Sequence, residues 1–476
     1  MTPQEQLVAV ISGSKSVISD GQTRLLARDI WQQGRSQRDQ IGRSLVVACI
    51  DNTLDGIEIY LNLVFGSAIP VFFPKDTKPE LLSRFMEDFR PAYLIATLEG
   101  QCPPQGFSLQ FSWGAFGVFA AAELYPHEMR DDLCLLATTS GSTGSPKVVR
   151  QTYANLLANS LQIVAALGLD AQSKAITTLP ISYTYGMSVV NCQVFCDGGL
   201  VVSDLAPTQK GFLELLEQEE VTVFPGVPQT YAQLNTMRFF KSRYAAGLQT
   251  YLQAGGKLPQ PLEDDLVAKV ATAGKQVYVM YGQAEATTRM SILPACEFVH
   301  LKGSAGPAVE GGRFSVIGAD GKLLGAHQEG EILFQGPNVS LGYASSFEDL
   351  NAPDAFEGLL KTGDVGYLDE RGNIFITGRL KRFAKIKGHS VNLNHLEEIL
   401  QKALQVEVIC LERNDTICVF HKASIDAACF ETVVQRNTNL KVRDFYLDQV
   451  TDFPTTSSGK IKYSELADDI ASRLRN

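Results

Sequence analysis

Between Thr138 and Lys147 the chain reads TTSGSTGSPK, small hydroxyl residues and glycines closed by a proline and a lysine. The apolar Leu135, Leu136 and Ala137 lead into it, as expected of a strand that ends in a loop. Backbone N–H groups and hydroxyls in such a loop can close around a polyanion, and Lys147 at its edge adds charge. A flexible Ser/Thr/Gly linker would share the composition. It would have no use for Pro146-Lys147, or for the helix-like TYANLLANSLQIVAALGL that follows. The common nucleotide P-loop needs GxxxxGK and then Ser or Thr, whereas here Lys147 follows a proline and precedes Val148. The expectation is a phosphate cradle of a different class.

Three further segments carry chemistry-bearing residues. VYVMYGQAEATT (Val277 to Thr288) reads as a buried strand ending in a loop with Tyr281 and Glu285. An aromatic at a strand end can stack on a flat base, and a carboxylate beside it can hold Mg²⁺; a core tyrosine with a surface glutamate is the plain alternative. In KTGDVGYLDERGNIFITGR, Asp364 follows a glycine and Arg379 closes the segment. A carboxylate can accept two sugar hydroxyls and an arginine can donate in a fixed fork, although TGD by itself is a common turn. The tail FPTTSSGKIKYSEL places Lys460 among Ser and Gly, where an isolated lysine would simply be solvated.

The elements that must position these residues follow from apolar patterning. Residues 44–100 alternate strand-like SLVVACI, AIPVFF and AYLIAT with helix-like IEIYLNLVFG and PELLSRFMEDF, which predicts α/β units with a parallel sheet. The rhythm returns over 248–281, with LEDDLVAKVATAG between two strand-like runs. From about Lys302 the texture changes to short β-type segments with turn signals at Asp320-Gly321 and Arg371-Gly372-Asn373, as expected of hairpins. The last segment holds a helix (LNHLEEILQKAL), strands (VEVICLER, TICVFHK), another helix and the lysine-bearing tail. That is enough for a small α+β lid, and the domain junction is expected at Gly378-Arg379.

Composition bounds the function. A chain of 476 residues exceeds one hydrophobic core, so two or more domains are expected. Its net charge of −10 argues against nucleic acid as the main partner. The charge is uneven, because RLKRFAKIK (Arg379 to Lys387) carries five basic residues and no acid. Such a run is a solvated face, or a surface that meets phosphates or an acidic carrier protein. No apolar run approaches the ~18 residues of a membrane span, and the N-terminus lacks the basic start and apolar stretch of a secretory signal. Nine cysteines without CxxC pairs read as reduced thiols of a cytoplasmic protein.

The loop wording resembles the signature of the adenylate-forming superfamily of acyl-CoA synthetases, adenylation domains and luciferases. The family pattern TSG[ST]TGxPKG is matched by Thr139, Ser140, Gly141, Ser142, Thr143, Gly144 and Lys147, with Val148 in place of the last glycine. Tyr281, Gly282 and Glu285 match YGxTE, with Ala284 replacing its threonine; Asp364 and Arg379 match the TGD and GR blocks. Further blocks follow in the family's order. LPISYTYGMS supplies Tyr183 and Gly186, Pro225-Gly226-Val227-Pro228 supplies Val227, and Ala254-Gly255-Gly256 completes the walls around acyl group and adenine. GEILFQGPNVSLGY (Gly330 to Tyr343) reads as structural. Lys381 takes the hinge position, and Lys385, Lys387 and Gly388 match the loop of the thiol step, while Ser390 and His395 stand where arginine and glutamate are frequent.

The resemblance implies a fold of large multi-layer α/β type, with mostly parallel sheets and a small β-barrel-like part over residues 1–378, and a mobile α+β lid over 379–476. It implies Lys460, Thr143 and Glu285 as catalytic residues, and Glu285 with Thr143 as Mg²⁺ ligands. The 139–147 loop, Gly255, Gly256, Tyr281, Gly282, Asp364 and Arg379 would bind ATP. Tyr183, Gly186, Val227 and Gly255 would line the acid pocket. No acid lies between Leu179 and Asn191 to pair with an ammonium, which points to a carboxylic acid without a free α-amine, fatty or aryl. CoA is the expected thiol; the alternatives are an acyl-AMP ligase serving the phosphopantetheine of a carrier protein in trans, and an inactive nucleotide- or acyl-binding homologue.

Overall fold

Leu45–Cys49 and Ile69–Phe73 are five-residue runs whose every side chain is buried, which is what a strand covered on both faces requires. The helix Leu54–Val64 joins them, with Thr53 capping its first turn by accepting from the Gly56 N–H at 3.2 Å. The strands pair in parallel, Leu45 opposite Ile69 and Cys49 opposite Phe73. The α/β rhythm expected over 44–100 is therefore present, with the helix Pro79–Phe89 and the strand Tyr93–Thr97 completing it. The computed structural model describes residues 1–98, 105–126, 128–138, 148–386, 389–413, 416–437, 440–455, 461–463 and 465–466; of these, 381, 383, 385, 389, 390, 392, 395 and 435–437 are described by backbone alone.

By contact the chain divides into two compact units, residues 1–313 with 334–360, and residues 314–333 with 361–476. The first unit contains two eight-stranded sheets. One runs Tyr343–Ala344, Val148–Thr152, Leu133–Thr138, Ile69–Phe73, Leu45–Cys49, Tyr93–Thr97, Phe116–Ala121, Phe107–Trp113. The other runs Ser291–Ile292, Gln276–Tyr281, Thr250–Gln253, Val223–Gly226, Lys174–Ile176, Gly199–Val201, Val17–Ser19, Arg24–Leu26. Both have parallel centres and antiparallel edges. The second sheet packs an aromatic core around Phe224, Tyr231, Phe239 and Tyr251.

One element differs from expectation. The segment after Lys147 enters a strand, Val148–Thr152, before the helix Tyr153–Leu167 begins, so the 139–147 segment joins two antiparallel strands with Thr138 opposite Val148. Thr152 ends that strand and caps the helix in a capping box with Asn155. The junction expected at 378/379 falls inside the second unit, at the end of Ile374–Arg379. Gly330–Gln335, Leu359–Leu368 and Ile374–Arg379 belong to one four-stranded sheet, so contact does not part them there. That sheet, ordered Arg313–Ile317, Gly330–Gln335, Leu359–Leu368, Ile374–Arg379, occupies the place of the expected barrel-like part.

In the C-terminal region the helices Leu393–Leu404 and Ala427–Asn437 cover the strands Val408–Arg413, Thr416–His421 and Phe445–Gln449 around Leu396, Leu400, Val419, Phe430 and Val434. A buried ion pair ties this core together. Arg382 pairs with Glu397, donates to the Cys410 carbonyl at 2.6 Å and lies over the Tyr463 ring at 4.3 Å. Glu397 accepts the Cys410 N–H at 2.6 Å. Burial pushes the Glu397 carboxyl up, against the pull of Arg382 and that N–H. Arg382→Met leaves the carboxylate buried without its cation and is expected to cost about 3–5 kcal/mol in urea unfolding. Removing the cation raises the folded-state titration of Glu397 further above its unfolded value. The deficit should therefore be smaller near about pH 5 and grow toward about pH 8; a deficit independent of pH would contradict this.

Candidate active site

The strand Gln276–Tyr281 ends at Gly282, and the chain then turns through Ala284–Ala286 before returning as Ser291–Ile292. Gly282 is dictated by sterics: a Cβ there would lie 1.7 Å from the Thr288 carbonyl oxygen and 2.7 Å from the Arg289 Cα. Thr287 sits at φ 64°, a region that non-glycine residues enter only when held. Side-chain amides from distant parts of the first unit do the holding. Gln151 donates to the carbonyls of Ala284 (2.9 Å) and Thr287 (3.3 Å). Asn338 donates to those of Ala286 (3.0 Å) and Arg289 (3.1 Å), and Asn159 to Arg289 (2.8 Å). Thr287 answers with its hydroxyl on the Asn338 carbonyl at 2.8 Å.

That turn presents Glu285. Its carboxylate accepts a 2.7 Å hydrogen bond from the Tyr343 hydroxyl, and its carbonyl accepts the Ser340 N–H at 2.9 Å. Burial pushes the Tyr343 phenol up, and the adjacent carboxylate adds to the shift, so Tyr343 is a neutral donor. Tyr343 lies 58 residues from Glu285 in sequence, inside a segment expected to be only structural. It corrects that expectation, because it orients the carboxylate. Tyr281, at the strand end as expected, is half-buried beside Gln283, whose amide reaches its hydroxyl at 3.4 Å.

The expected acid wall assembles in the same unit. Gly255 adopts φ +85°, and a Cβ there would stand 3.0 Å from Val227 Cγ1 and 3.5 Å from the Tyr183 hydroxyl, so Tyr183, Val227 and Gly255 meet. Gly256 backs onto Pro228, and its carbonyl accepts from Gln253 at 2.8 Å. Asn52 fixes the approach to Tyr183 by donating to the Leu179 carbonyl (2.9 Å) and accepting the Ile181 N–H (3.0 Å). Gly186 serves differently. A Cβ there would lie 2.3 Å from the Pro180 carbonyl oxygen, so its bareness lets the helix Thr184–Phe195 start against that turn.

In the second unit, Asp364 and Arg379 face each other in register on Leu359–Leu368 and Ile374–Arg379. Arg379 Nε stands 2.8 Å from Asp364 Oδ1, with the aspartate side chain 4% exposed and the arginine 63%. The pair is one buried acceptor beside one outward-reaching donor. Thr139, Ser140, Gly141, Ser142, Thr143, Gly144, Lys147, Lys387, Gly388 and Lys460 lie outside the described residues, and so do the side chains of Lys381 and Lys385. The strands on either side of the first segment and the backbone pairing of Phe383–Ile386 with His389–Asn392 are defined.

Residues 41–344 match the family model described as AMP-binding enzyme. The chain belongs to this family of the adenylate-forming superfamily. Feruloyl-CoA synthase from an Amycolatopsis species is 30% identical over 251 residues, 53% of this chain and 50% of that protein. 4-Coumarate–CoA ligase 1 of Oryza sativa subsp. japonica is 30% identical over 282 residues, 57% of this chain and 49% of its own length. The chain thus spans about half the length of the curated relatives it matches. ATP-bound MatB from Rhodopseudomonas palustris shares the fold, with a TM-score of 0.79 at 20% identity over 98% of both chains. Among the described residues no helix is long and apolar enough to cross a membrane.

Tyr343→Phe removes the donor on Glu285 while keeping the ring. If Glu285 holds Mg²⁺ as the resemblance implies, activity should fall about tenfold, with a raised requirement for free Mg²⁺ and an unchanged Tm. A variant with wild-type Mg²⁺ dependence would show that the hydroxyl does not orient Glu285.

Proposed function

We propose that the chain is an ATP-dependent acid–thiol ligase, which joins a carboxylic acid without an α-amine to AMP and then passes the acyl group to the thiol of CoA. The observation that carries this reading is Glu285, a carboxylate fixed by Tyr343 on a pinned turn at a parallel strand's end. It stands in the unit that also builds the wall of Tyr183, Val227 and Gly255. The names of the relatives are those of acid–CoA ligases and support CoA as acceptor.

One carboxylate and the Thr143 hydroxyl suit Mg²⁺, which keeps several waters and takes its other ligands from phosphate oxygens. Bound there, the ion would neutralise charge on the phosphates. The 139–147 loop would cradle the β- and γ-phosphates, Tyr281 would stack on the adenine, and Asp364 would accept the ribose hydroxyls beside Arg379. A carboxylate oxygen of the acid then bonds to the α-phosphorus. The bond from that phosphorus to the bridging β-oxygen breaks, and pyrophosphate departs with the electron pair. Lys460 offsets the repulsion between the two anions and the charge that builds in the transition state.

For the second step the segment beyond Arg379 would swing about Lys381, withdrawing Lys460 and presenting Lys385, Lys387 and Gly388. The thiol attacks the acyl carbonyl and AMP leaves. The same reading makes the chain a cytoplasmic enzyme, where ATP and CoA are at hand.

Pyrophosphate exchange with a panel of fatty, aryl and dicarboxylic acids tests the first step, and acyl transfer to CoA or to a carrier protein's phosphopantetheine tests the second. Exchange with at least one acid, and product with CoA alone, are expected; ATP binding without exchange for any acid would overturn the reading. Lys460→Ala should depress adenylate formation at least roughly a hundredfold while sparing thiol transfer from supplied adenylate. Equal loss of both steps would contradict the swinging-lid mechanism.

A further inference from the structure

Arg289, two residues beyond the strained Thr287, is among the largest fully buried side chains of the protein, at 2% exposure. A buried guanidinium needs anionic or carbonyl partners, because burying a charge among neutral groups is costly. The buried Arg150 has them, donating to the carbonyls of Ala352 (2.5 Å), Leu341 (2.8 Å) and Pro353 (2.9 Å). Arg289 does not. Its Nη1 donates to the Ser188 hydroxyl at 2.9 Å and its guanidinium lies 4.7 Å from the centroid of the Tyr185 ring; among the described residues its Nε, like that of Arg150, has no hydrogen-bond partner. Among the described residues no carboxylate pairs with it. Burial pushes both the Tyr185 phenol and the nearby Cys192 thiol up to about 12, with Arg289 pulling the other way, so both neighbours are neutral.

The location gives this cation a use. Tyr185 and Ser188 belong to the first turns of Thr184–Phe195, directly after Tyr183 of the acid wall, and Tyr185 donates to the Leu252 carbonyl, close in sequence to Gly255. Arg289 also lines a small, mostly apolar cavity with Val189, Cys192, Gln193, Val223 and Leu252, with room for about one water, so seating a carboxylate there requires side-chain movement. We propose that Arg289 is a specificity-determining residue that takes a second carboxylate at the far end of the acid, making the preferred substrate a short dicarboxylic acid. The inference rests on the ligase reading for the position of the first carboxylate. The second carboxylate supplies the anion that Arg289 lacks, and a purely apolar tail would leave the cation buried and unpaired.

Isothermal titration of succinate, glutarate and adipate tests this, each against the analogue in which an isopropyl group replaces one carboxylate. Wild type, Arg289→Met and Arg289→Gln are compared, with pyrophosphate exchange run on the same acids. Wild type should prefer at least one diacid over its analogue by roughly a hundredfold, and both variants should lose that preference at unchanged Tm. If one variant fails to fold, the other carries the comparison, and the wild-type preference is read in either case. Equal binding of diacids and analogues by wild type, or equal loss of both in the variants, would overturn the proposal. Exchange driven by the analogues without a diacid preference would sink the anchor and leave the ligase reading standing. Diacid binding that needs Arg289 but drives no exchange would do the reverse.

Discussion

The turn from Gly282 to Arg289 runs half-buried to buried, and its carbonyls find their partners in side-chain amides carried by distant segments. Gln151, Asn159 and Asn338 together take on this task, and none of them lies near the turn in sequence. A buried carbonyl left without a donor costs on the order of 1–3 kcal/mol, so the three amides decide whether the turn keeps its shape. The positive φ of Thr287 and the bare Gly282 add to the same constraint, since neither conformation survives without a surrounding that fixes it. Glu285 and Arg289 sit on this one turn, so the proposed metal ligand and the proposed acid anchor are positioned together.

The two sheets of the first unit supply the remaining geometry. Parallel strands ending at Gly226, Gln253 and Tyr281 bring three loops to one edge, the arrangement in which open α/β sheets bind ligands. Gly255 lets Val227 and Tyr183 approach closely, and Asn52, just beyond the end of Leu45–Cys49 in the other sheet, holds the segment before Tyr183. Neutral side chains dominate this wall. That suits an acid with no ammonium, and it makes the buried cation of Arg289 stand out.

Much of this was legible in the sequence. The alternation over 44–100 forecasts the parallel strands because period and length are local properties; Tyr281 and Glu285 stand out in the loop after a buried strand, and Gly282 is marked by the resemblance to the family block. Tyr343 escaped because its role is a pairing across 58 residues, which no local pattern encodes. The strand Val148–Thr152 escaped for a related reason. Arg150 and Gln151 look like surface residues, yet both are buried to serve carbonyls elsewhere. Arg289 reads as an ordinary polar residue after a loop until its surroundings show that, among the described residues, no anion meets it. The four-stranded sheet drew residues 314–333 and 361–378 into the second unit, a grouping set by strand pairing rather than by any break in composition.

The most direct measurement is a crystal structure of the chain with a non-hydrolysable acyl-adenylate analogue carrying a terminal carboxylate. Density for the phosphate mimic beside Glu285, with the acyl chain along Tyr183, Val227 and Gly255 and its end on Arg289, is the expected result. An analogue bound away from the 282–289 turn, with the Gln151 and Asn338 bonds unchanged and Arg289 still facing only neutral groups, would contradict it.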